Sequence, residues 1–81
     1  ELSVKEVALR GNRLDARLRV DPKTKKVDVS LNGRTLLTLH ADFEHLQFVL
    51  DDAPPSAEVT FHAYDRFFNC GIETVRCNQA S

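Results

Sequence analysis

Two stretches decide the fold: Leu14-Asp15-Ala16-Arg17-Leu18-Arg19-Val20 and Val27-Asp28-Val29-Ser30-Leu31-Asn32-Gly33. In each, apolar residues fall on alternate positions with polar or charged ones between them, the period of a strand with one buried and one wet face. The second stretch runs into Asn32-Gly33, a pair whose members tolerate the positive φ of a type I′ turn and so predict a β-hairpin with Arg34 to Leu39 as the returning strand.

The same period extends outward. Val59, Phe61 and Ala63 alternate with Thr60, His62 and Tyr64, and a last strand is expected from about Ile72 to Cys77. The segment from Ala41 to Leu50 fits a helical stripe through Leu39, Phe43, Leu46 and Leu50 as well as a strand through Leu46, Phe48 and Leu50. Its strand-like neighbours and the bounding Asp51-Asp52-Ala53-Pro54-Pro55 favour the strand. The first strand, Ser3 to Leu9, is irregular, because Val4, Val7 and Leu9 share one face only if a bulge falls near Lys5-Glu6. Seven short strands with turn signals between them are the signature of an all-β, antiparallel β-sandwich. Its expected core is Leu14, Ala16, Leu18, Val20, Val27, Val29, Leu31, Leu37, Leu39, Leu46, Phe48, Leu50, Val59, Phe61 and Ala63.

With 81 residues the chain reads as one domain, 1–81, with the aspect of a module from something longer. Its 42% hydrophobic and 28% charged residues sit near globular averages, so a folded core rather than disorder is expected. Eleven Lys and Arg against twelve Asp and Glu leave a formal charge of −1, which gives no electrostatic basis for gripping nucleic acid or an anionic membrane. No run approaches the roughly 18 apolar residues of a membrane-spanning helix, so membrane insertion is not expected. Cys70 and Cys77, seven residues apart, would lie about 23 Å from each other on one extended strand, which puts free thiols ahead of a bridge; a bridge requires a tight turn within Gly71-Ile72-Glu73-Thr74. Cysteine content therefore leaves the compartment open.

Gly11-Asn12, Lys26 to Gly33, Leu46-Gln47-Phe48-Val49-Leu50 and, above all, Glu58-Val59-Thr60-Phe61-His62-Ala63-Tyr64-Asp65-Arg66-Phe67-Phe68-Asn69 together resemble a bacterial-type immunoglobulin-like or fibronectin-III-like domain over about Val4 to Cys77. Ala63, Asp65 and Asn69 hold the places of an Ala-X-Asp-X-X-Gly-Asn shape, with Phe68 where the family usually has glycine. The resemblance implies a seven-stranded immunoglobulin-like sandwich that acts as a structural or adhesive module, commonly in an extracellular or cell-surface protein and without catalysis.

Several clusters have chemistry-bearing types. His40, Asp42 and Glu44 would share a face on a strand, but their spacing matches no established metal motif and His45 points away. Asp21, Asp51, Asp52 and Asp65 are acidic loop residues without a calcium-loop pattern, better read as turn formers. Cys70, His62 and Asp65 are a nucleophile, base and orienter by type only, with no glycine-rich oxyanion turn. Arg10, Arg13, Arg17 and Arg19 form a basic stripe in which Asp15 and Asp21 share a face with Arg17 and Arg19, the mark of a solvated mixed surface.

No catalytic residue, metal or cofactor is expected. The aromatic tip carries the functional expectation: Tyr64, Arg66, Phe67 and Phe68 form a partner-binding loop, because at most one of two adjacent aromatics in a loop readily caps the core; the alternative is that both fold down as a lid over the sandwich end. The leading expectation is a non-catalytic interaction or spacer module contacting a neighbouring domain or protein partner. The alternative is a carbohydrate-binding accessory module of an enzyme, weakened by the absence of Trp and the presence of a single Tyr.

Overall fold

The computed structural model describes residues 2–41, 43–67 and 69–79. It is all-β: β1 (Leu2–Arg10), β2 (Arg13–Val20), β3 (Thr24–Leu31), β4 (Arg34–Leu39), β5 (His45–Val49), β6 (Ser56–Asp65) and β7 (Cys70–Asn78). Two antiparallel sheets face each other, one ordered β1-β2-β5 and the other β4-β3-β6-β7. The seven-stranded antiparallel sandwich read from the alternation, which the resemblance implied to be immunoglobulin-like, is therefore the observed architecture.

The alternating residues do what the period demands. Leu14, Ala16 and Leu18 of β2 face Val27 and Val29 of β3 and Val59, Phe61 and Ala63 of β6 across a core completed by Leu46 and Leu50. Among the described residues Phe61 is the largest side chain wholly removed from solvent. Val20, Leu31, Leu37, Leu39 and Phe48, expected in the core, are only partly buried and pack around its margin. Most lie near strand ends or on the edge strands β4 and β5, where one flank has no neighbour. Leu2, Leu9 and Ala57 are buried and were not anticipated, because they stand at strand ends, beyond or at the limit of the clean alternation.

The hairpin between β3 and β4 turns through Asn32 at φ 51° and Gly33 at φ 84°, both positive as a type I′ turn requires. Asn32 then ties this turn to β6: its amide donates to the Glu58 carbonyl at 2.8 Å, and its side-chain oxygen accepts the Glu58 amide at 2.9 Å. In β1 the register slips between Val4 and Glu6, so Lys5 is the extra residue of a bulge where the sequence demanded one. The segment before β5 differs from expectation. Strand structure begins at His45, and His40, Ala41, Phe43 and Glu44 belong to the connection, from which Phe43 packs against the core margin. Likewise β7 begins at Cys70 rather than Ile72.

One side of the sandwich is closed by β1 and β7, which run parallel and meet at a bridge between Leu9 and Gln79. Gln79 fastens that end. Its side-chain oxygen accepts the Gly11 amide at 2.7 Å, and its side-chain nitrogen donates to the Gly11 and Pro54 carbonyls, each at 2.7 Å. Its backbone amide donates to Pro55 at 3.1 Å. Leu2 lies at the opposite end, against Gly71. Removing the three side-chain bonds in Gln79→Ala is expected to lower stability by about 1 to 2 kcal/mol, read from the urea midpoint; an unchanged midpoint would show that the clamp contributes nothing.

Candidate functional site

Three connections converge at the Leu2 end of the sandwich: β2 to β3, β4 to β5, and β6 to β7. The last is built around Asp65. One carboxylate oxygen accepts the amides of Phe67 at 2.8 Å and Asn69 at 3.0 Å, while the other accepts the Asn69 side-chain nitrogen at 3.0 Å. The Asp65 amide donates back to the Asn69 carbonyl at 3.1 Å. Aspartate suits this place because its short carboxylate reaches the amides two and four residues on, replacing the ladder where β6 ends. The Asn69 side chain, helped by the Phe67 and Asn69 amides and the charge of Lys23, holds the Asp65 carboxyl below its ordinary range against a smaller opposing effect of desolvation.

This locked loop presents Phe67, which is 70% exposed. The Arg66 guanidinium lies over one face of its ring, 4.9 Å from the centroid. Tyr64 is placed differently. It stands on the outer face of the four-stranded sheet, with the Lys26 ammonium 4.7 Å from its ring centroid and the His62 ring 5.7 Å away. Of the four expected partner-binding residues, Arg66 and Phe67 are thus brought together, Tyr64 packs with surface neighbours, and Phe68 lies outside the described residues. Lys23 and Lys25 share a groove with Arg66 and Phe67. Sequence reasoning missed them because the turn carrying Lys23 reads only as a charged loop until β3 pairs with β6.

The other clusters come apart. Asp51 and Asp52 follow β5 at the Gly11 end, whereas Asp21 and Asp65 sit at the other, so the acidic loop residues do not converge. Asp21 shapes its own turn, its carboxylate accepting the Lys23 amide at 2.8 Å and its carbonyl the Thr24 amide at 2.9 Å. His40 and Glu44 are in a connection rather than on one strand face, and Asp42 lies outside the described residues. Cys70 pairs with Tyr64 and His62 with Ile72, which puts thiol and imidazole on one face but diagonally, with the His62 ring against Tyr64 rather than joined to Cys70 by a hydrogen bond. Asp65 is committed to its loop. Among the arginines, Arg17 lies opposite Glu6 and Asp15 lies between Arg13 and Arg17 on the outer face of the three-stranded sheet, a mixed surface, whereas Asp21, expected on that face, lies in the turn after β2.

No family pattern and no curated protein matches the chain by sequence. In three dimensions it is similar to a solved fibronectin(III)-like module of Clostridium thermocellum CbhA, with a TM-score of 0.77 and 15% identity over 98% of this chain and 96% of that one. The fold is therefore that of a fibronectin-III-like β-sandwich.

Two outcomes test the geometry. A carboxyl held below its ordinary value stabilises the loop above the unfolded pKa, and that contribution is lost as pH falls through the folded value. The Phe67 and Asn69 amide resonances should therefore keep their positions through the ordinary carboxylate range and move only at lower pH; movement centred at or above that range would contradict the lock. In a thiol-modification assay, exposed Cys70 should react ahead of Cys77, which is half-buried and whose thiol burial pushes up. Equal rates would contradict the placement of β7.

Proposed function

We propose that the chain is a non-catalytic interaction and spacer module of a larger surface or secreted protein, and that its β6–β7 loop contacts a neighbouring domain or protein. The observation that carries this reading is Phe67. A large apolar ring at 70% exposure, on a loop whose backbone is fixed by Asp65 rather than free to fold down, is a preorganised anchor that loses little entropy on contact.

Shape supports the spacer half of the reading. Leu2 and Gln79 stand at opposite ends of a body 39 Å long and about 20 Å across. Sequence joined at both ends would be held apart along that axis, with the Phe67 loop turned toward whatever adjoins the Leu2 end. The carbohydrate-binding alternative has less to stand on, because the Tyr64 ring is already engaged by Lys26 and His62.

Phe67→Ser should leave the urea midpoint unchanged within about 0.5 kcal/mol, as for an exposed surface position. In the unsubstituted chain, amide shifts on adding a flanking domain of the parent protein should be confined to residues 64–70 and should vanish in the variant. A loss of several kcal/mol would make Phe67 part of the core, and shifts lying wholly elsewhere would remove the loop from the contact.

A further inference from the structure

The groove beside Phe67 has a charge that the whole chain lacks. About 310 Å³ in volume, it runs between the β2–β3 turn and the β6–β7 loop and is lined by Pro22, Lys23, Lys25, Asp65, Arg66 and Phe67. Three cations face one carboxylate there, in a protein of formal charge −1. That carboxylate keeps its charge, felt by Lys23, but both its oxygens are occupied by hydrogen bonds from Phe67 and Asn69, so the groove retains an excess of cations over anions. Among the described residues neither Lys25 nor Arg66 has a carboxylate partner.

Lys25 reaches the groove through an irregularity. β3 pairs Thr24 with Asp65 and then Lys26 with Tyr64, leaving Lys25 as the extra residue of a bulge. By strict alternation Lys25 would share the inner face with Val27 and Val29; the bulge releases it to solvent at the groove. A bulge that re-aims one side chain is a common device beside binding sites.

Resting on the reading of the Phe67 loop as a contact surface, we propose that this groove binds an acidic polypeptide segment, with an aliphatic side chain against Phe67 and Pro22 and carboxylates on Lys23, Lys25 and Arg66. A peptide offers apolar and anionic side chains at the short spacing the groove requires. Arg66 already covers one face of the Phe67 ring, which suits insertion of a side chain better than a continuous stack of sugar rings. The arginine stripe on the three-stranded sheet is a weaker competitor for the same peptide, because Glu6 and Asp15 stand among its cations.

The test is an amide-resolved NMR titration with two capped pentapeptides, one of four glutamates around a central leucine and one with glutamines in their place. The glutamate peptide should shift Lys23, Lys25, Arg66 and Phe67, and binding should weaken about tenfold in K25E/R66E and fall with added salt, as for charge-complementary contacts. Equal shifts by both peptides at Phe67 would overturn the acidic specificity while keeping the contact surface. Glutamate-peptide shifts centred on Arg13, Arg17 and Arg19, tighter binding of the groove by a sulfated oligosaccharide or by vesicles of anionic lipid, or no shift with either peptide would overturn the proposal. In the last case, shifts at 64–70 with a flanking domain would show that the loop reading survives it.

Discussion

The pairing of β3 with β6 is the constraint on which the rest depends. It joins strands some thirty residues apart and sets Val27 opposite Ala63, Val29 opposite Phe61 and Leu31 opposite Val59, so the centre of the core is one ladder. Because side chains alternate with a period of two, a slip of one residue would turn Phe61 and its partners into water. Asn32 opposes that slip. A single residue closes the hairpin with a positive φ and also exchanges hydrogen bonds with Glu58, fixing where β6 begins against β3. At the far end the same pairing delivers Lys25 and the Asp65 loop to one place, so core register and groove share a cause.

A sandwich of two open sheets has edge strands that invite pairing with other chains, and this one blunts them by local means. β1 carries its bulge at Lys5 and is flanked by β7. β4 slips register around Leu36, the residue left between the Thr35 and Leu37 pairs. On β7, Glu73 lies opposite Phe61 and so on the inward side, yet stays exposed because the strand is an edge. β5 has only five residues. Exposed apolar side chains such as Ile72 and Val49 can then stand on the outer faces without a continuous edge to propagate from.

What the sequence made legible was whatever depends on a local pattern. The alternation in Leu14 to Val20 and Val27 to Leu31, the Asn32-Gly33 turn and even the bulge at Lys5 follow from parity and φ preference within a few residues. Elements set by distant partners were hidden. Gln79 acts on Gly11 across sixty-eight positions, and Ala57 and Leu2 are buried by sheet packing rather than by any period of their own. The split of residues 40–50 into a connection and a short strand was equally opaque, because both periods fit the apolar residues present. At the candidate site, the exposure of an aromatic in the Asp65 to Asn69 loop could be read, whereas the cations beside it belong to another turn. The separate lodging of Tyr64 could not be foreseen either, since Lys26 comes opposite its ring only when β3 pairs with β6.

The parallel course of β1 and β7 has a mechanical consequence. A pull applied between Leu2 and Gln79 acts along the strand axes, so it loads the β1–β2 and β6–β7 hydrogen bonds together in shear instead of opening them one after another. The Gln79 clamp at one end and the Leu2 contact with Gly71 at the other lie where that load enters. Under tension the domain would hold its length up to a threshold and then yield as a unit, behaving as a stiff link rather than a spring.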